Sequence, residues 1–476
     1  MSHMPRLIIS ALSGGAGKTI LSLGLARYWS RSGLSVKPFK KGPDYIDAVW
    51  LARAAGRTAT NLDPFFMQDR VLSRLFVEQA QGSDVALIEG NRGLFDGKDT
   101  NGSCSTSHLA RLLQVPVLLI LDCSKMTRTV APIVQGCAMF ERDLHLGGVI
   151  LNRTAGARHR TILRKCLEEY TDVPVLGALP KLDDTLIPER HMGLVSDREY
   201  AAEDAIEESA RILGDWVDVE GILGVSRQAP DIKAPEISLW PEAQSRERRV
   251  RIGVVKDASL WFYYPENLQA LERAGAEIAE VSLLDASEEW PLLHGLYLGG
   301  GFPEMQAEGL AANKQTKRLV RSLAEKGLPV YAECGGLMYL CSSLATDAGK
   351  EFGMVDLFQV QTGLSARPQG HGYTRCTVRR SNPFFSLGEE FIGHEFHYSR
   401  CHPREGEELP TCLEMGRGTG LGGGRDGLLY KNTLACYTHL HALSVPSWAE
   451  NFVRAATLYK KAMEKGGPDC PQIDAG

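Results

Sequence analysis

Two stretches of this 476-residue chain carry residue types that chemistry needs and packing does not. The first is Ser13-Gly14-Gly15-Ala16-Gly17-Lys18-Thr19. Glycines in such a loop turn backbone N–H groups toward phosphate oxygens, and a following helix N-terminus adds a favourable dipole. Lys18 supplies a point charge for the β and γ phosphates, and Thr19 offers a hydroxyl to Mg²⁺. Leu12 stands where the usual pattern has its first Gly, and Ser13 replaces the leading Lys of the deviant form. Carboxylates follow: Asp44 and Asp47 in Gly42-Pro43-Asp44-Tyr45-Ile46-Asp47, then Glu89 and Asp96 in Glu89-Gly90-Asn91-Arg92-Gly93-Leu94-Phe95-Asp96-Gly97. Mg²⁺ takes hard oxygen ligands, so Thr19, Asp44 and Glu89 form the expected metal set, with Asp96 left to face a substrate. Asn152, after another apolar run, is placed to read an adenine edge, although an ordinary helix cap fits it almost as well.

The second stretch is Tyr331-Ala332-Glu333-Cys334-Gly335-Gly336-Leu337. A nucleophile at a strand-to-helix elbow is exposed, and the helix N-terminus favours thiolate. Gly300 and Gly301, in Leu298-Gly299-Gly300-Gly301-Phe302-Pro303-Glu304, are positioned to offer N–H groups to a developing oxyanion. His439, in Cys436-Tyr437-Thr438-His439-Leu440-His441, is the base expected for Cys334. His191, His394 and His397 are lesser candidates for substrate contact, and a hydrogen-bonded structural role suits each of them as well.

Parallel strands buried on both faces are the elements able to hold such loops. The runs Leu7–Ile9, Val85–Ile88, Val115–Leu121 and Gly148–Leu151 are apolar throughout and alternate with helical patterns. A carboxylate at the C-terminal end of such a strand faces the ligand crevice. A second strand–helix series begins at Val250 and runs through Leu296–Leu298 and Pro329–Ala332. The expected fold is α/β, with two doubly wound, mostly parallel sheets: a P-loop domain over 5–218, a linker over 219–249, a flavodoxin-like domain over 250–465 and a frayed tail over 466–476. The opening Met1–His3 reads as an expression scar before a start at Met4.

A net charge of −5 gives no global pull toward nucleic acid or anionic membrane. No window approaches the ~20 apolar residues that span a bilayer, and no apolar signal segment opens the chain. Eleven cysteines without C-x-x-C pairs fit a reduced, cytoplasmic protein and argue against structural zinc.

These stretches, joined by Phe39–Asp47, Asn61–Pro64, Pro188–His191, Gly393–Ser399 and Tyr437–His441, resemble the cobyrinic acid a,c-diamide synthase family over nearly the whole chain. That family joins a dethiobiotin-synthetase-like ATP domain to a class I glutamine amidotransferase domain of the cobyric-acid-synthase type. The resemblance implies that Cys334, with His439 as base, hydrolyses glutamine through a thioester. Ammonia then crosses an internal path to a tetrapyrrole acetate that ATP has phosphorylated, with Asp44, Glu89 and Asp96 at the active acidic positions. Asp47, Arg92 and His191 are the expected contacts to the macrocycle, and a homodimer is the oligomer considered.

Two departures stand. Class I domains usually have His-Pro-Glu, whereas His439 is followed by Leu440-His441, so the group orienting the base is unidentified. Arg92 is shared with relatives that amidate sirohydrochlorin or sirohaem, which leaves the macrocycle open. A P-loop switch with a vestigial Cys334 is the rival of a different class, and Ser13 in place of the signature Lys speaks against it.

Overall fold

Short apolar runs with no alternation pair, in the computed structural model, as parallel strands covered on both faces. The structure describes residues 3–182, 189–190, 193–194, 202–241, 250–287, 289–346, 349–404, 409–465 and 472–475. The chain divides into two compact units, Met1–Leu239 and Trp240–Gly476.

The first unit holds β1 (Arg6–Ala11), β2 (Val36–Lys41), β3 (Thr60–Leu62), β4 (Val85–Glu89), β5 (Val117–Asp122), β6 (Leu146–Thr154) and β7 (Val175–Pro180). They form one sheet in the order β3-β2-β4-β1-β5-β6-β7, with every neighbouring pair parallel. All residues of β1, β2 and β4 are buried, which fits the apolar runs of β1 and β4, whereas β2 carries three buried lysines, Lys37, Lys40 and Lys41. The chain leaves β1 through the glycine loop into the helix Lys18–Arg31, whose Leu21, Leu23, Leu25 and Trp29 are buried. Each such side chain contributes roughly 1.5–3 kcal/mol by leaving water. A Cβ on Gly24 would stand 2.8 Å from Ser209 O, so only glycine lets this helix meet the helix Ala202–Trp216 so closely.

The expected linker begins as structure. Val219–Ser226 is a helix capped by Asp218, whose carboxylate accepts from Gly221 N–H at 2.8 Å, and its Ile222, Leu223 and Val225 are buried. Eight residues interrupted by Gly221 and Gly224 are too few to display a helical period.

In the second unit a nine-stranded sheet runs in the order Ala276–Val281, Val250–Val255, Gly295–Leu298, Val330–Glu333, Thr433–Cys436, Arg425–Tyr430, Thr411–Arg417, Gly370–Val378, Glu390–His397. The first five strands are mutually parallel and the rest pair antiparallel, so the sheet is mixed. The expected tail is docked in part: Ile473 N–H donates to Asn432 Oδ1 at 2.8 Å, and Ala475 N–H to Asn382 O at 2.7 Å. Among the described residues no helix is long and apolar enough to cross a membrane.

Candidate active sites

The glycine loop leaves β1 with Gly15 and Gly17 at φ 69° and 99°, the left-handed region that glycine enters without strain. Lys18 Nζ donates to Ser13 O and to Arg92 O, both at 3.0 Å. Burial pushes its ammonium below the ordinary lysine range, with Glu89 opposing. Asn152 braces the loop, donating to Ala16 O at 2.8 Å while its Oδ1 accepts from Arg153 N–H at 2.8 Å. Both polar ends of Asn152 are thus engaged beside the loop, at the position expected either to read an adenine edge or to act as an ordinary cap.

Four expected side chains meet at the ends of β2 and β4. Thr19 Oγ1 donates to Glu89 Oε1 at 3.0 Å, and Lys40 Nζ reaches the same oxygen at 2.8 Å. Lys40 also pairs with Asp47. Asp44 caps the helix Tyr45–Ala55, accepting from Asp47 N–H at 3.0 Å. Burial, reinforced by Asp47, raises its carboxyl to about 7. Burial raises Glu89 as well, against the pull of Lys40. Burial alone would lower Lys40, but Asp47 and Glu89 carry it above its ordinary value. Glu89 Oε2 is buried with no hydrogen-bond partner. Asp96 Oδ2 accepts from Gly93 N–H at 3.1 Å, and Arg92 beside it is exposed with φ 54°. His191 lies outside the described residues.

The second centre is at the end of the strand Val330–Glu333. Cys334 has φ 45° and ψ −96°, a strained elbow for a residue with a side chain, and opens the helix Gly335–Leu340. It is 4 % exposed, and burial, then Glu304 and Glu333, push its thiol up. This corrects the expectation of a resting thiolate: the helix is only six residues long, and desolvation outweighs its dipole. Both expected glycines close on the centre. A Cβ on Gly300 would stand 2.5 Å from His439 Cε1, and Gly301 N lies 3.0 Å from where a Cβ on Gly335 would be. His439 is bridged to His394 through paired backbone bonds of 2.8 and 3.0 Å, and the two rings stack at 4.9 Å. His397 is buried against Tyr437, with ring centroids 3.6 Å apart. His394 therefore frames His439 from within the core, while His397 packs on Tyr437, two residues before His439.

Two groups were missed: Lys40, held by Glu89 and Asp47 in the first cluster, and Glu333 in the second. Glu333, fully buried, sets its Oε2 3.4 Å from His439 Nδ1. The available signal for Glu333 was a lone acid closing an otherwise apolar strand, directly before the nucleophile.

Residues 7–195 match the CobQ/CobB/MinD/ParA nucleotide binding domain, and residues 251–446 match the CobB/CobQ-like glutamine amidotransferase domain. A cobyrinate a,c-diamide synthase of Magnetococcus marinus is 40% identical across 95% of this chain and 97% of its own length. The chain belongs to the cobyrinate a,c-diamide synthase family. The Archaeoglobus fulgidus and Salmonella typhimurium members are 38% and 35% identical, covering 97% and 94% of this chain and 98% and 97% of their own lengths. As a member of this family the chain is a glutamine-hydrolysing ligase with a nucleotide-binding domain. Its sequence-derived α/β organisation and its two glycine-rich loops agree with that membership.

Proposed function

We propose that the enzyme uses ATP and glutamine to amidate the a and c acetate side chains of cobyrinic acid. The observation carrying this reading is the coexistence, in one chain, of a Cys–His centre at a strained elbow and a buried acid–lysine cluster beside a phosphate loop. A carboxylate is a poor acyl donor, so the second centre has a chemical reason to bind ATP.

At the elbow, His439 takes the Cys334 proton as sulfur attacks the glutamine amide carbon. The C–S bond forms, the C–N bond breaks, and the proton leaves with ammonia. Water then cleaves the thioester to glutamate and restores the thiol. Backbone N–H groups near Gly300 and Gly301 stabilise the oxyanion, where such donors are worth roughly 3–4 kcal/mol each.

At the glycine loop, Gly14, Gly15 and Gly17 present backbone to the phosphates and Lys18 exchanges its two carbonyl partners for phosphate oxygens. The acetate oxygen attacks the γ-phosphorus, ADP departs, and ammonia displaces phosphate from the acyl carbon with loss of one proton. Asp47 and Asp96 orient the acceptor, Asp44 belongs with Thr19 and Glu89 to the proposed metal set, and Arg92 pairs with a further carboxylate of the macrocycle. The donor set suits Mg²⁺: Glu89 Oε2 is a buried oxygen without a partner, and the Thr19 hydroxyl is bound to the same carboxylate. Thr19 and Glu89, with Asp44, would hold Mg²⁺ beside the nucleotide, and the ion would supply positive charge against the phosphates. Among the described residues all ten cysteines are free thiols, in keeping with a reducing cytoplasm.

Incubation with ATP, Mg²⁺, glutamine and cobyrinic acid is expected to give a product bearing two amides in place of two carboxylates, read by mass. Sirohydrochlorin and sirohaem run in parallel identify the preferred macrocycle. No amidated product from any of the three would overturn the reading.

A further inference from the structure

We infer that Glu333 is the positioning residue for His439, replacing the acid that class I domains carry two residues beyond the histidine. The inference rests on the glutaminase role proposed for Cys334 and His439.

Three donors converge on this one carboxylate. His439 Nδ1 stands 3.4 Å from Oε2, the Tyr297 hydroxyl donates to the same oxygen at 3.1 Å, and Leu440 N–H donates to Oε1 at 3.2 Å. Glu333 and His439 are 0 % and 2 % exposed in their side chains, so neither is reorganised by water. A buried carboxylate needs such donors, and here one of them is the catalytic imidazole. Accepting from Nδ1–H fixes the tautomer that leaves Nε2 as the basic atom, and a negative charge there stabilises the imidazolium formed as the thiol loses its proton. The long separation is of the kind that tightens once substrate is bound.

The backbone around the base is held by the same group of residues. Tyr297 also accepts from Asn267 Nδ2 at 3.3 Å, and that amide donates to Leu440 O at 3.0 Å while Asn267 Oδ1 accepts from Ala442 N–H at 2.7 Å. The segment 439–442 is therefore pinned from one side. Glu333 precedes Cys334 directly, so one strand end delivers both the nucleophile and the acid that aims its base. His441 cannot take the part: it faces Glu266 at 3.6 Å and accepts from Leu443 N–H through Nδ1.

Glu333→Gln keeps the shape but lets an amide N–H face Nδ1, favouring the wrong tautomer. Glutamine hydrolysis by the full-length enzyme is expected to lose about a hundredfold or more in kcat, with KM for glutamine within about twofold. Ammonia-supported amidation should stay at the level of the unaltered enzyme. A kcat for glutamine within about threefold of that enzyme, with the ammonia reaction intact, would overturn the assignment. Should Glu333→Gln lose the ammonia reaction too, through misfolding, Tyr297→Phe decides. It removes one donor from Glu333 without touching His439, and is expected to lower kcat for glutamine several-fold at unchanged KM; an unchanged kcat would overturn the assignment. Cys334→Ser run alongside separates the two failures. If that variant still hydrolyses glutamine, the glutaminase centre itself is misplaced, whatever Glu333 does.

Discussion

The two centres hold their reactive groups in opposite ways. Around Cys334 the structure is finished: its side chain is 4 % exposed at a strained elbow, and the His439 proposed as its base is stacked on His394, bridged to it and backed by a carboxylate. Around the glycine loop the reactive groups are engaged with one another, Lys18 with two carbonyls, Thr19 with Glu89 and Lys40 with Glu89 and Asp47. Ser13, Gly14 and Gly15 are exposed. The reacting carboxamide of glutamine is uncharged, so the groups that act on it have to be preformed rather than drawn into place by charge at the reacting atoms. A nucleotide with its cation brings charge enough to replace internal partners, so its site can rest self-satisfied.

Variants in each centre test that contrast. Cys334→Ser should have the largest effect, lowering glutamine-supported amidation by about 10⁴-fold or more while ammonia-supported amidation persists. Loss of both in a folded protein would break the division of labour. Lys18→Ala is expected to lower amidation with either nitrogen source by roughly 10²–10³-fold, measured as ADP release with ammonia present. Retention of the ammonia reaction would mean that the loop is not the phosphate site.

Gly300→Ala drives a methyl into His439 Cε1 at 2.5 Å, and the ring cannot retreat freely because it stacks on His394. About a hundredfold loss is expected with glutamine and none with ammonia, since a displacement of ~1 Å suffices for that loss. The resting thiol supplies a pH test. A thiol pushed above its ordinary range stays protonated near neutrality, so alkylation of Cys334 by iodoacetamide should rise steadily from about pH 7 to about pH 9. A plateau near neutrality would reveal a preformed thiolate at the elbow. Arg92→Ala should be mildest, raising KM for the macrocycle by about threefold to tenfold with kcat little changed, as suits an exposed cation.

The legibility of the two centres differed as well. The glycine loop, Glu89, Cys334 and Gly300–Gly301 could be read because each lies where a strand ends and a loop begins, a transition visible in consecutive residues. His439 was legible only as a histidine after a short strand. Glu333 could be noticed as an acid closing an apolar strand, but its partner could not, since the contact spans 106 residues and no spacing rule links it to His439. The helix Val219–Ser226 and the docked residues 472–475 escaped for a related reason: short segments acquire structure from partners elsewhere, such as Asn432 and Asn382.

The sequence by itself determined the α/β class and singled out the glycine loop, Cys334 and His439 as the proposed phosphate loop, nucleophile and base. Those features follow from local backbone chemistry: where glycine frees φ, where an apolar run ends and where a helix starts. Tertiary structure alone decided the protonation of the groups so placed. Asp44 is raised to about 7 by burial and Asp47, the Cys334 thiol is held up by its desolvation, and Glu333 comes to face His439. Desolvation and Coulomb energy depend on burial and on distances across the fold, and consecutive residues carry neither.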